Sequence, residues 1–122
     1  MTISVVRLGS PRGKAEGPRL GTVRRPPRGV RKQDYAKRDY YGVWLPELSP
    51  SAELIKTALA DWKRFARLYR QEMRKREHLL QALAALSRTG NFSVGCYCED
   101  EKRCHRSILR RLLVEHGARI AV

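Results

Sequence analysis

The chain has 122 residues, a formal charge of +14 at pH 7 and an isoelectric point near 10.6. A chain of this length forms one domain and buries about two-thirds of its unfolded surface, so folding does not call for a metal or a disulfide. No apolar run approaches a membrane span, no signal-peptide core follows Met1, and three cysteines make an odd set; these features argue against a membrane protein or a secreted disulfide framework and predict a cytoplasmic chain with an anionic partner.

From the amino terminus, Ile3 to Leu8 predicts a first strand, with three β-branched residues among its apolar positions. The glycines and prolines of residues 9–18 then predict a mobile basic loop, so residues 1–18 stand apart from an α/β domain over 19–122. Arg19 to Val23 predicts a second short strand. From Arg7 to Arg38 there are eleven Lys or Arg against Glu16 and Asp34 alone. The densest part is Arg24, Arg25, Arg28, Arg31 and Lys32, followed by Tyr35, Tyr40 and Tyr41. Arginines hold phosphates in bidentate fashion and tyrosines stack on bases, so this cluster is a candidate anion or nucleic-acid surface. No recognised nucleic-acid motif accompanies it, which limits the expectation to binding along a phosphate backbone.

Tyr41 to Leu45 predicts a third strand. Ser49 as N-cap, Pro50 at the first position and Glu53 in the first turn predict a helix that turns Leu54, Ile55, Ala58 and Leu59 inward. A break is expected at Ala60-Asp61. The next helix places Trp62, Phe65, Ala66, Tyr69 and Met73 on one side and mostly Lys and Arg on the other, an outer face that is ordinarily just solvated. A third helix runs from about Glu77 to Ser87 and is ended by Gly90.

Phe92, Val94, Cys96 and Cys98 then fall on one side of a strand, with the small residues Ser93 and Gly95 opposite. Beyond a charged loop, Ile108, Leu109, Leu112, Leu113 and His116 follow helical spacing, closed by Gly117. Counting back one turn puts Cys104 and His105 on the same inward stripe at the helix start. Ala118 to Val122 predicts a last edge strand. Strand, helices, strand and helix in this order predict an α/β fold, a small and mostly parallel sheet with packed helices. The strand end and helix start then bring Cys98, Cys104 and His105 together, where open α/β sheets bind ligands.

Three blocks carry a likeness: Val43-Trp44-Leu45-Pro46-Glu47-Leu48-Ser49-Pro50-Ser51, Cys96-Tyr97-Cys98-Glu99-Asp100 and Cys104-His105-Arg106-Ser107-Ile108-Leu109. With Arg25-Pro26-Pro27-Arg28-Gly29-Val30 upstream, they resemble the uncharacterised bacterial and archaeal domain family that includes YeaO, from about Arg19 onward. The resemblance implies a compact α/β domain whose matching positions here are Cys96, Cys104, His105 and Arg106. It implies no particular reaction, because that family is itself of unknown function.

The central stretch admits three chemistries. A helix amino terminus beside Lys102, Arg103 and Arg106 suits a phosphate or carboxylate, which makes a nucleic acid or a phosphorylated small molecule the expected partner. Alternatively, Cys104 is a nucleophile, with His105 as base or charge partner, Arg106 steadying an anionic substrate and Cys96 or Cys98 resolving. Zinc suits Cys96, Cys98, Cys104 and His105 by donor type. Their spacing departs from common zinc patterns, and neighbouring ligands on one helical turn are not expected to converge on one tetrahedral ion, so no metal ligand and no cofactor is assigned. Against all three stands ordinary packing: cysteine is among the most buried residue types, His105 can satisfy a carbonyl, and Arg106 can pair with Glu99, Asp100 or Glu101.

Overall fold

The computed structural model describes residues 1–57 and 60–121. Among them, four parallel strands form one sheet: β1 (Ile3–Arg7), β2 (Arg19–Gly21), β3 (Val43–Trp44) and β4 (Phe92–Cys96), in the spatial order β1-β4-β2-β3. The helices are α1 (Ala52–Ile55), α2 (Trp62–Arg74), α3 (Glu77–Leu86) and α4 (His105–Glu115). This is the predicted α/β architecture in one domain, with a sheet that is parallel throughout.

β4 is central, paired with β1 through Val5↔Val94 and with β2 through Leu20↔Val94. All five of its residues are buried, as expected of a strand covered on both faces. Phe92 and Val94 join Phe65, Tyr69, Met73, Leu80, Leu109 and Leu113 in the larger core. On the other face small residues admit loops: the Ser93 hydroxyl donates to the Glu16 carbonyl at 3.0 Å, and the Tyr41 ring covers Gly21. Gly117 ends α4 with φ +92°, the Gly117 N–H donating to the Val114 carbonyl and the Ala118 N–H to that of Leu113, which satisfies the last carbonyls of the helix.

Several local expectations change. The N-cap of α1 is Ser51, whose Oγ accepts from the Leu54 N–H at 3.2 Å, because Ser49 closes a preceding 3₁₀ turn through its own N–H and Oγ to the Pro46 carbonyl. Leu54 is buried but Ile55 is exposed, and Ala58 and Leu59 lie outside the described residues. The break at Asp61 is present, its carboxylate capping α2 by accepting from the Arg64 N–H. α3 ends at Leu86, which faces solvent, four residues before Gly90. The last segment makes a single bridge, Ile3↔Ile120, rather than a strand, and Val122 lies outside the described residues.

The largest revision concerns charge. Arg19, counted above in the basic surplus, is 2% exposed. Its guanidinium donates to the carbonyls of Ser10 (2.8 Å), Pro11 (3.3 Å) and Asp39 (2.6 Å) and pairs with Glu16 at 2.9 Å. Here an arginine replaces the apolar plug of a core and anchors the loop of residues 9–18, whose turn chemistry alone predicts mobility.

Candidate functional site

β2 and β4 run parallel and end side by side, and their carboxyl ends deliver Val23, Arg24 and Arg25 next to Cys96, Tyr97 and Cys98. The start of α4 supplies Cys104 and His105, the preceding turn supplies Arg103, and the Ser49-Pro50 corner with Ile55 and Lys56 forms the opposite wall. These residues enclose a cleft of about 470 Å³. Its lining is largely apolar, with Val23, Pro50, Ile55 and Phe65, while Arg24, Arg25, Lys56 and Arg103 bring positive charge; among the described residues no Asp or Glu lines it. A small cleft of one sign with apolar walls concentrates its field on an entering anion.

Each side chain has a local reason for its place. Cys104 is the N-cap of α4 in extended backbone (φ −127°, ψ 151°), and His105 is the first helical residue. The change of backbone conformation between them lets both side chains turn toward β4: Cys104 Sγ lies 3.6 Å from His105 Nδ1 and 2.7 Å from Cys96 Sγ. The two adjacent side chains come together because Cys104 is not yet helical. His105 donates from Nε2 to the Thr22 carbonyl at 2.8 Å, and the Tyr69 ring meets it edge-on at 5.6 Å between centroids. Burial pushes the His105 pKa down to about 4, so the imidazole is neutral at physiological pH.

The three thiols divide by exposure. Cys96 and Cys104 are buried, whereas Cys98, beyond the end of β4, is exposed at the cleft. Hydrogen bonding from Cys104 and Cys96 favours the thiolate at Cys98 and lowers its pKa far below the ordinary thiol range. Cys104 gains from its contact with Cys96, but donation to Cys98 together with burial outweighs this and takes it up to about 11. Cys104, read from sequence as the activated thiol, is thus buried, and the thiol open to solvent is Cys98. Arg106 is buried and does not line the cleft; it donates to the Cys98 carbonyl at 2.6 Å instead of pairing with an acid. Glu99 and Glu101 pair with Arg7 and Arg110.

The predicted arginine cluster is divided. Arg24 and Arg25 line the cleft, and Arg24 also clasps its wall by donating to the carbonyls of Pro50 (3.1 Å) and Ser49 (3.4 Å). Arg25 and Tyr97 are shared with an adjoining hollow that holds Arg7, Arg28 and Tyr40. Arg31 is held by Asp34 at 3.1 Å, and neither it nor Lys32 lines these cavities. Tyr41 is buried under the sheet and cannot stack on a base.

A family model described as DUF488-N3a, the active DUF488-N3 subclade, matches residues 3–117. The chain belongs to the DUF488-N3a family. YeaO is a DUF488 member, so the likeness read from the Leu-Ser-Pro-Ser and Cys-His-Arg helix starts is correct at the level of family. In this DUF488-N3a domain those two starts face each other across the cleft, although they are far apart in sequence. No curated protein and no solved structure matches the chain. Thr22 and Lys56 escape a reading of sequence, because a short strand and an exposed helix end carry no signal of what they will face. The tandem of helix starts was the available hint that the second wall belongs to the site.

Proposed function

We propose that the DUF488-N3a domain binds a phosphate-bearing ligand, a nucleotide or a nucleic acid strand, in the cleft at the carboxyl ends of β2 and β4. The observation that carries this reading is the pairing of apolar lining residues with Arg24, Arg25, Lys56 and Arg103 in a cleft that no carboxylate lines among the described residues. A planar base suits the apolar lining, and a phosphate suits the guanidinium groups. Arg25 links the cleft to the hollow of Arg7 and Arg28, which supports a backbone running across both. Binding of a labelled single-stranded oligonucleotide, followed by fluorescence anisotropy as salt is raised, tests it. Affinity falls steeply with salt, and Arg25→Ala with Arg28→Ala weakens it and lowers the slope. Lys63→Ala with Arg67→Ala, on the exposed face of α2, changes it much less. Equal losses from both pairs reduce the interaction to diffuse charge attraction, and no binding at low salt removes it.

A thiol-dependent reaction is the second reading, favoured by the exposure of Cys98 in the same cleft. Its nucleophile is Cys98 rather than Cys104. Iodoacetamide labels Cys98 first, and an oligonucleotide bound in the cleft slows that labelling; preferential labelling of Cys104 contradicts the assignment.

A further inference from the structure

Beneath the cleft lie three soft donor groups that phosphate binding does not use. The ligand atoms of Cys96, Cys104 and His105 all lie within 4.8 Å of one another, and all three residues are buried. We propose that they bind a soft divalent cation of the zinc class, with a fourth coordination position opening on the cleft.

Four features converge on this assignment. First, the Thr22 carbonyl takes the Nε2 proton of His105, so Nδ1 presents its lone pair, and it does so on the side of Cys104 Sγ at 3.6 Å. A metal-bound histidine ordinarily donates its other ring nitrogen to a carbonyl in this way, which holds the tautomer and the ring. Second, the donor set is two sulfurs and an imidazole, which selects zinc over magnesium or calcium. Third, an ion of charge +2 held by two thiolates and a neutral imidazole leaves no net charge to bury, whereas a lone thiolate at the same depth carries the full desolvation cost. Fourth, all three residues line the cleft, so an exogenous oxygen can reach the ion. The sulfurs stand 2.7 Å apart, and tetrahedral zinc holds two thiolates ~3.7 Å apart at bond lengths of about 2.3 Å, so side-chain rotation opens the pair as the ion enters. The site does not depend on what the cleft binds.

Cobalt(II) titration of the reduced protein tests the proposal. One equivalent produces a thiolate-to-cobalt charge-transfer band and the visible bands of tetrahedral cobalt, and zinc displaces both. Cys98→Ser retains the spectrum; Cys96→Ser and His105→Gln lose it. Zinc absorption-edge measurements on the unmodified protein guard against variants that fail to fold, and give sulfur neighbours at about 2.3 Å with an imidazole nitrogen at about 2.0 Å. An octahedral cobalt spectrum without the thiolate band, a zinc shell without sulfur, or loss of binding in Cys98→Ser overturns the assignment. A Cys96–Cys104 disulfide that forms equally fast with and without zinc does so as well.

Discussion

The Nε2 proton of His105 goes to the carbonyl of Thr22, a residue 83 positions earlier in the chain, at 2.8 Å. This bond fixes one tautomer of a buried, neutral ring. The Thr22 hydroxyl separately donates to the Gly95 carbonyl at 2.9 Å, stitching the end of β2 to β4. Thr22→Val removes the hydroxyl and keeps the carbonyl, so it costs about 1 kcal/mol in denaturant unfolding and leaves the tautomer unchanged. Long-range nitrogen–proton NMR of the His105 ring checks the second half: a proton on Nδ1 contradicts the geometry.

Glu16 and Arg19 supply a pH dependence. Burial raises the Glu16 pKa, but hydrogen bonds from Arg19 and the Gly13 N–H, with the Arg19 charge, outweigh it and bring it below its usual 4.5. A carboxylate lowered in the folded state stabilises above its unfolded pKa, and that stability is lost as pH falls through the folded value. Glu16→Gln therefore costs about 2 kcal/mol at neutral pH. The gap from the unmodified protein narrows below pH 4.5, where Glu16 itself takes up a proton. A gap that stays constant from neutral pH to pH 3 contradicts the ion pair.

Gly95 separates steric from conformational roles of glycine. A Cβ there would lie 2.6 Å from the Val6 carbonyl oxygen, and because that atom is strand backbone it has nowhere to go. Gly95→Ala costs about 3 kcal/mol. Gly90→Ala meets open space and falls within about 0.5 kcal/mol of the unmodified protein. Thermal unfolding of the two variants side by side distinguishes them, and similar midpoints contradict the close approach of β1 to β4.

Tyr69 couples core to cleft. Its ring is fully buried, and its hydroxyl donates to the Leu48 carbonyl at 2.6 Å, just before the Ser49-Pro50 wall. Tyr69→Phe strands that carbonyl and costs about 1–2 kcal/mol. Oligonucleotide affinity falls with it, because the wall loses its anchor; stability falling with affinity untouched shows that the wall stands without Tyr69.

Much of this protein is written in short-range patterns. The alternation through Phe92, Val94 and Cys96, the helical spacing of Ile108, Leu109, Leu112 and Leu113, the cap at Asp61 and the glycine stop at Gly117 all arise within one or two turns of chain. There each residue's partners lie a few positions away, and periodicity names them. Cys98, Cys104 and His105 line one cleft because a strand end and the next helix start are joined by a short loop, although the sulfur that meets Cys104 is that of Cys96.

Sheet order and the fate of each arginine were decided only in three dimensions. β2 inserts beside β4, and that neighbour relation sets Thr22 against His105 and brings Arg24 and Arg25 into one cleft with Arg103. Arg19 and Arg24 look alike in sequence, yet one is a buried hub and the other edges a cleft. The difference lies in the carbonyls of Ser10, Pro11 and Asp39, which converge on Arg19 from two loops. A charge is buried only where distant backbone supplies its hydrogen bonds, and that supply is set by packing of the whole chain, which no local pattern encodes.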